Sequence, residues 1–239
     1  MKKIIILFFS MFLFANNLTP QEKEDVKIGE KYFKKILKKV EISKDKNKIN
    51  RVLQVGKKLA KATNKDYKWE FVVVEDKRLN AFCLPGGKVV VFDGIFKVID
   101  NNDQLATVLS HEIAHAILRH GHYKSQVNYI LTAPKEIAKK TFGGFVPKDF
   151  HKVLDMAYDI GKNLTAMLPF SRFQEIEADK YGIKLMHKAK FNLDEAIKFW
   201  KNMQKYSKTN IPEFLSTHPN HHHRIEVIKR EIEKIRNKK

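Results

Sequence analysis

Two histidines and a glutamate lie close together near the middle of the 239-residue sequence, as His111-Glu112-Ile113-Ala114-His115. Residues four apart share one face of a helix, so both imidazole rings can reach a single metal ion. Glu112 projects about 100° around the helix axis from His111, beside a metal-bound water rather than onto the metal. Zinc lowers the pKa of such a water to about 7, and a carboxylate can accept its proton and pass it to a leaving amine. The motif predicts one hydrolytic zinc ion; the alternative is a surface helix that carries these residues by chance.

The residues around this motif favour a helix from about residue 103 to residue 120. Asp103 can cap its start, and Gly121 can end it. Five residues give this helix an apolar face: Leu105, Val108, Leu109, Ala116 and Ile117. The two histidines are therefore expected on a helix that packs against the protein core.

A third metal ligand is expected from a separate segment, because catalytic zinc has three protein ligands and an open position. The best candidate is the segment 171–179, in which Glu175 and Asp179 are four residues apart and share a helix face. Glu175 could bind the metal while Asp179 orients a ligating imidazole. Ser171 is expected to cap the start of this helix. The alternative is a solvated acidic face near a helix start, which the helix dipole favours.

The elements that must position these residues are mostly helical. Residues 19–62 are predicted to form two helices. Two segments have the apolar, β-branched composition of strands, namely Trp69–Val74 and Lys88–Phe92. A turn signal, Leu84-Pro85-Gly86-Gly87, lies between the strands. Further helices are predicted near residues 103–120, 123–141, 149–168, 171–188, 193–206 and 221–236. The expected fold class is α+β, mostly helical, with a small antiparallel sheet.

The N-terminal residues 1–15 are predicted to be a secretory signal peptide, followed by a single domain over residues 16–239. Lys2 and Lys3 precede an apolar run, and Ala15 suits the residue before a cleaved bond. The run is shorter than the ~20 residues that span a membrane. Leu13 stands where a smaller residue is usual, so an uncleaved anchor is the alternative. The expected compartment is the periplasm.

The composition limits the partners that the sequence predicts. A formal charge of +19 attracts anionic surfaces, and peripheral contact with anionic lipid is one expectation. Lysines spread over solvated helix faces are the simpler explanation, and no nucleic acid is expected because no recognition module is visible. The one cysteine, Cys83, excludes an internal disulfide.

Four segments, in order, resemble the zinc peptidase family of the CAAX prenyl protease, the HtpX heat-shock protease, and the periplasmic proteins BepA and LoiP. The first is Asn80-Ala81-Phe82 with Leu84-Pro85-Gly86-Gly87 and a following strand, and the second is Ser110 to His115 with Arg119-His120. The third is Ser171-Arg172 with Glu175, Glu177, Ala178 and Asp179, and the fourth is Ser216-Thr217-His218-Pro219 with Arg224-Ile225. Together they cover about residues 69 to 228. Four ordered matches are more specific than any single motif.

The resemblance implies a zincin-like metallopeptidase domain with its small sheet beside the active-site helix. It implies a zinc ion held by His111, His115 and Glu175, with Glu112 as general base and acid. Asp179 and Arg224 would support this site from behind. The strand after the turn would form a sheet edge that pairs with an extended substrate, and the residues implied in that contact are Gly86, Gly87, Lys88, Val89 and Val90.

His218 has two roles in such a family, and the sequence leaves both open. Its imidazole can stabilise the oxyanion of the transition state, or it can occupy the open zinc position and inhibit the enzyme. The resemblance implies an endopeptidase that acts on extended or misfolded polypeptides, in protein quality control at the cell envelope. The alternative is a non-catalytic chaperone or assembly factor whose zinc is blocked by His218.

Overall fold

The computed structural model describes residues 18–120, 164–207, Phe214, His218 and 223–237. In these residues the elements are α1 (Pro20–Leu37), α2 (Lys46–Thr63), β1 (Glu70–Val74), β2 (Ala81–Leu84), β3 (Lys88–Phe92), a short 3-10 helix (Asp93–Val98), α3 (Asn102–Ile117), α4 (Leu164–Lys188), α5 (Asp194–Ser207) and α6 (His223–Arg236). The mostly helical α+β class is confirmed. The predicted signal peptide, the helix predicted near 123–141 and most of the helix predicted near 149–168 lie outside the described residues.

Two predicted helix starts differ from the structure. The cap of α3 is Asn101, whose side chain accepts a hydrogen bond from the Gln104 N–H at 2.9 Å. Asp103 instead accepts a hydrogen bond from the Asn192 N–H at 2.9 Å. Helix α4 is described from Leu164 and runs through Ser171 without interruption, so Ser171 is not a cap. Residue types that suit a cap also occur inside helices, so residue type alone did not locate either helix start.

The sheet is mixed, which corrects the prediction of an antiparallel sheet. Its strand order is β1-β3-β2. Strands β2 and β3 are antiparallel because the tight turn after Leu84 reverses the chain. Strand β1 runs parallel to β3, with Glu70 opposite Lys88. The longer connection between β1 and β2 lets the chain cross to the other side of β3, which the alternating apolar pattern alone does not reveal.

The prediction that the strand after the turn is a sheet edge is wrong. Strand β3 is the central strand, with ladder partners on both sides, so its backbone groups are not free to pair with a substrate. Lys88, Val89 and Val90 are fully buried. The Lys88 ammonium group pairs with the Glu70 carboxylate at 2.7 Å. These residues lie in the core of the sheet. The two ladder partners of β3 leave no free backbone edge for strand addition, and a contact of residues 86–90 with substrate in any other form stays a prediction.

The two turn glycines do permit close approach, but to the protein's own chain. Gly86 and Gly87 have φ angles of 72° and 84°, which favour glycine. A Cβ atom on Gly86 would lie 2.6 Å from Val26 Cα in α1, and one on Gly87 would lie 2.7 Å from the Trp69 ring. The close approach that these glycines permit is therefore packing against α1 and against Trp69.

The two faces of the sheet pack against different helices. On one face Val90 and Phe92 of β3 join Phe33 and Ile36 of α1 in a small apolar cluster. The opposite face, which includes Val89, belongs to the main core with α2 and α3. Because successive strand residues point to opposite sides, the alternation along β3 holds α1 and α3 on opposite faces.

Helix α3 is the centre of the main core. All of its residues from Gln104 to His115 are buried, and it packs against α4, α2, β2 and α5. A helix that is buried on all sides is expected to be held rigidly by its neighbours. Polar side chains on such a helix must find partners or perform a function. No helix in the described part of the chain is both long enough and apolar enough to cross a membrane.

A buried glutamate from α5 fixes the beginning of α3. The Glu195 carboxylate accepts hydrogen bonds from the Asn101 amide at 2.8 Å and from the Gln104 amide at 2.9 Å. Its other oxygen accepts from Lys198 Nζ at 2.6 Å. These donors, Lys198 first, lower the pKa of Glu195 to about 2. The contact joins the cap of α3 to α5 and so fixes the direction of the helix that carries His111 and His115.

Replacing Glu195 with glutamine tests this contact through pH. The folded carboxyl group has its pKa lowered from 4.5 to about 2, so its stabilisation is complete above about pH 4.5 and is lost as the pH falls towards 2. We expect Glu195→Gln to be less stable than wild type at pH 7 and the two urea unfolding free energies to converge at low pH. The exposed Glu233→Gln is the control. A constant difference between wild type and Glu195→Gln across this range would contradict the assignment.

Candidate metal centre

The three predicted metal ligands converge between α3 and α4. Nε2 of His111 lies 3.0 Å from Nε2 of His115. The Glu175 carboxylate approaches the same two atoms, at 3.2 Å from His111 and 3.3 Å from His115. All three side chains are buried. The helix spacing that placed both histidines on one face therefore also directs them at a single carboxylate on the neighbouring helix.

His218 contributes a fourth donor atom to the same group. Its Nδ1 lies 3.3 Å from Nε2 of His111 and 3.2 Å from both oxygens of Glu175. The ring is fully buried and stacks at a tilt on Phe214, with ring centroids 4.7 Å apart. The backbone N–H of His218 donates to the Phe214 carbonyl at 2.8 Å. His218 is thus brought together with the three residues that the motif spacing selected.

The four donor groups fit a zinc ion. Ligand atoms that share one tetrahedral zinc ion lie about 3.3 Å apart, because each bond is about 2.0–2.1 Å long. The recorded separations among the four donors range from 3.0 to 3.3 Å, and all of the ligand atoms lie within 4.8 Å of one another. Imidazole nitrogens with one carboxylate are a donor set that suits zinc, the metal that this residue pattern predicts.

Glu112 lies beside this donor group without belonging to it. Its Oε1 is buried and has no hydrogen-bond partner within the described residues, and Nε2 of His218 lies 3.4 Å away. Burial raises the pKa of Glu112, while the nearby His218 and His111 oppose that rise. A buried carboxylate oxygen that lacks a hydrogen-bond partner beside a metal site is placed to bind a proton at this position.

Asp179 and Arg224 form a second layer behind the donors. Asp179 Oδ1 lies 3.0 Å from Nδ1 of His111, the ring nitrogen turned away from the other donors. Arg224 binds Asp179 through two donors, Nε at 2.7 Å and Nη2 at 2.6 Å. Its Nη1 lies 3.0 Å from Glu175. The guanidinium group therefore neutralises two buried carboxylates from adjacent turns of α4.

The charges of this second layer set the protonation of the site. Burial alone would raise the pKa of Glu175 and of Asp179. For Glu175, His218 and then Arg224 hold the pKa well below its usual range, and Arg224 lowers the pKa of Asp179. For His111, burial and Arg224 oppose protonation, but Asp179 and Glu175 raise the pKa to about 9. Both carboxylates are thus ionised, as metal binding requires, whereas His111 must release a proton when a metal binds.

His120 contacts a predicted metal ligand directly. Nδ1 of His120 lies 3.0 Å from Nδ1 of His115, while its Nε2 lies 3.5 Å from the Glu177 carboxylate. Burial lowers the pKa of His120, against the effect of Glu177. A residue five positions after His115 lies off the metal-facing side of a regular helix. The sequence signal was the presence of Arg119-His120 in the second of the four segments.

Strand β2 packs against α3, the helix that carries His111 and His115. Within the described part of the chain, β2 is the outer strand on the side of the sheet opposite β1. Burial raises the pKa of its Cys83 well above the usual value, and the neighbouring charge of Glu112 adds to the rise. Residues 86–90, which were predicted to bind substrate as a sheet edge, do not form an edge beside the donor group.

Comparison with known protein families matches residues 43–232 to Peptidase family M48. The chain belongs to this family. The family resemblance drawn from the four segments is therefore confirmed. In the bovine protein named metalloendopeptidase OMA1, mitochondrial, 35% of residues are identical over 171 residues, which is 69% of this chain and 32% of the relative.

Two other relatives have a similar coverage. The mitochondrial metalloendopeptidase OMA1 of Schizosaccharomyces pombe is 35% identical over 75% of this chain and 51% of its own length. The β-barrel assembly-enhancing protease of Escherichia coli O157:H7 is 25% identical over 82% of this chain and 41% of its own length. The chain spans about half or less of the length of these curated relatives. The mitochondrial branch was not among the relatives expected from the sequence.

Replacing Arg224 with methionine tests the charge balance of the second layer. The change leaves Glu175 and Asp179 buried without their cation, so we expect metal-free protein to lose about 3–5 kcal/mol of unfolding free energy. Added zinc should recover part of this loss because its charge compensates the carboxylates. Urea unfolding with and without a chelator measures both effects.

Arg236 provides the matched control because it lies on the same helix. Its ion pair with Asp194 at 2.8 Å is about half exposed, and Arg236→Met should change the stability by less than about 1 kcal/mol. Equal stability losses for the two arginine variants would contradict the assigned role of Arg224.

Proposed function

We propose that the chain is a zinc-dependent endopeptidase that hydrolyses internal peptide bonds of extended or misfolded polypeptides. The observation that carries this proposal is the convergence of His111, His115 and Glu175, with Glu112 beside them and outside the donor set. Membership of a peptidase family agrees with it. In this proposal the three converging residues hold one zinc ion, and Asp179 and Arg224 keep His111 and Glu175 in place.

Zinc, when bound, polarises the scissile carbonyl and makes water a stronger nucleophile. The residues of the chain perform the proton transfers and the orientation. Glu112 is placed to accept the proton of the attacking water and to deliver it to the leaving amine. Its raised pKa brings the carboxyl group closer to the pH at which one residue can act as base and then as acid. Asp179 orients the His111 ring by accepting from its Nδ1–H.

The outer strand β2, rather than β3, is the proposed site of substrate pairing. The Phe92 N–H donates to the Asn80 carbonyl at 3.0 Å, so the alternation of an antiparallel ladder directs the backbone groups of Ala81 and Cys83 away from β3. An extended polypeptide could add to this side of the sheet. Ala81 is fully buried and Cys83 is nearly so, so substrate entry requires a conformational change.

Replacing Glu112 with glutamine tests the proposed mechanism. The glutamine amide cannot accept the proton, so casein hydrolysis should fall by about 10²–10⁴-fold while bound zinc remains near one ion per chain. Metal analysis and a casein cleavage assay on the same sample measure both quantities.

Glu231→Gln is the control, because Glu231 is also a buried glutamate but lies on α6 and pairs with Lys184 at 3.3 Å. Casein hydrolysis that persists in Glu112→Gln with zinc bound would refute the mechanism.

For His218 we propose the fourth-donor role in the conformation described here. Its Nδ1 lies as close to His111 and Glu175 as those residues lie to each other, which supports a resting state in which His218 completes the zinc coordination. The ring must then withdraw before a substrate carbonyl can approach. Membership of a peptidase family, together with Glu112 beside the donors, supports a regulated peptidase over a chaperone without activity.

The variant His218→Ala separates the two roles of this residue. If His218 closes the zinc site, its removal weakens zinc binding and raises the rate of casein hydrolysis. We expect that result, with zinc affinity measured by competition against a chromophoric chelator. A lower rate with unchanged zinc affinity would assign His218 to transition-state stabilisation instead.

The cellular role is proposed at a coarser level. The apolar N-terminal run with Lys2 and Lys3 supports export to the periplasm, and we propose a function in protein quality control at the cell envelope. The charge of +19 supports peripheral contact with an anionic membrane surface. Export is tested by fractionating cells and determining the N-terminal residue of the purified protein.

A further inference from the structure

His120 contacts the side of the His115 ring that faces away from the donor group, and both residues are buried. Nδ1 of His115 and Nδ1 of His120 are 3.0 Å apart, and the ring centroids are 5.0 Å apart with the planes at 73°. The two side chains are only 5% and 7% exposed. The two ring nitrogens are within hydrogen-bond distance and the rings meet edge-on. Packing of two imidazoles without a hydrogen bond would not require the nitrogens to lie this close.

We propose that His120 is a positioning residue that orients the metal ligand His115 through this bond. The inference rests on the proposed zinc site, in which Nε2 of His115 binds the ion. A neutral imidazole that binds metal through Nε2 carries its proton on Nδ1. His115 is then the donor, and Nδ1 of His120 must be the acceptor.

The second nitrogen of His120 completes a directed chain of contacts. With Nδ1 accepting, the proton of a neutral His120 ring is on Nε2, which faces the Glu177 carboxylate at 3.5 Å. Glu177 is 46% exposed, so it is a weak, solvent-screened acceptor. The direction from His115 to His120 to Glu177 leaves each nitrogen with a suitable partner.

The two ligand histidines thus have different partners on their outer nitrogens. Nδ1 of His111 faces the buried Asp179 carboxylate at 3.0 Å, and Nδ1 of His115 faces a neutral ring. The buried site already contains the carboxylates of Glu112, Glu175 and Asp179. A neutral acceptor orients His115 without a fourth buried negative charge, which would be costly to desolvate.

The end of α3 produces the contact between the two rings. Arg119 has a φ angle of 59°, in the left-handed region. The His120 N–H donates to the His115 carbonyl at 3.0 Å, and the Arg119 N–H donates to the Ala116 carbonyl at 3.3 Å. This is the hydrogen-bond pattern of a Schellman motif, in which the side chains of the residues that correspond to His115 and His120 commonly meet. The helix end therefore fixes the acceptor in place.

An ion pair holds this helix end against α1. The Arg119 guanidinium binds the Asp25 carboxylate through Nε at 2.7 Å and Nη2 at 3.2 Å. Arginine in the left-handed region is less favourable than glycine, and the bidentate contact offsets part of that difference. The position of His120 is thus supported from outside the metal site.

The test compares three substitutions of His120 in the full-length chain. Asparagine can place its amide oxygen near the position of Nδ1, whereas glutamine reaches the position of Nε2 and alanine reaches neither. Zinc affinity is measured by competition with a chromophoric chelator, and coordination by the absorption spectrum of the Co²⁺-loaded protein. His187→Ala, an exposed histidine on α4, is the control.

We expect His120→Ala and His120→Gln to bind zinc about 10–100-fold more weakly than wild type, with an altered Co²⁺ spectrum. His120→Asn should remain within about threefold of wild type, and His187→Ala should be unchanged. Unchanged affinity in His120→Ala, or equal losses in the asparagine and glutamine variants, would overturn the inference. The comparison of asparagine with glutamine stays decisive if the alanine variant does not fold.

The same experiment separates this inference from the proposed function. If the wild-type chain binds no zinc, or if His111→Ala binds it as tightly as wild type, the zinc site itself is wrong. If wild type binds zinc and His111→Ala does not, the affinity of the His120 variants decides the positioning role alone.

Discussion

The structure depends on balancing negative charge in a site from which water is excluded. Each buried ion costs several kcal/mol unless it is paired and hydrogen-bonded. Glu175 and Asp179 present two carboxylates on one face of α4, and Arg224 from α6 binds both. The guanidinium also lies 4.1 Å from the centre of the Trp200 ring, so α5 takes part as well. This arrangement fixes α4, α5 and α6 around one point, and the rings of α3 are directed at it.

The parts of the site that the sequence predicted are those related by local helix geometry. His111 with His115, and Glu175 with Asp179, are each separated by four residues, so a single helix turn determines their shared direction. No such rule connects α3 with His218 or Arg224, which lie about a hundred residues away. Only the family resemblance suggested these two, and the structure then brought them within contact distance. The side-chain periodicity of the chain contains no information about such distant neighbours.

Strand order was the main property of the fold that the sequence did not predict. The composition of residues 88–92 indicates a buried strand, and burial on both faces agrees with a central position as well as with an edge beneath a helix. A central strand and an edge strand differ in whether the backbone groups on both sides are paired. Here the second partner is β1, in which each residue precedes its partner on β3 by 18 positions. Similarly, Asn101 caps α3 and also donates to the buried Glu195 of a distant helix, and local propensity cannot report such a contact.

The Schellman motif at the end of α3 has a thermodynamic consequence for the helix itself. Helix ends usually fray, and their last hydrogen bonds open at little free-energy cost. Here the ring of His115 faces the donor group while its carbonyl accepts the His120 N–H, so one residue belongs both to the proposed coordination sphere and to the helix terminus. Binding of an ion by that ring therefore opposes fraying of the final turn. Amide hydrogen exchange at Arg119 and His120 becomes a reporter of metal occupancy, readable without any substrate.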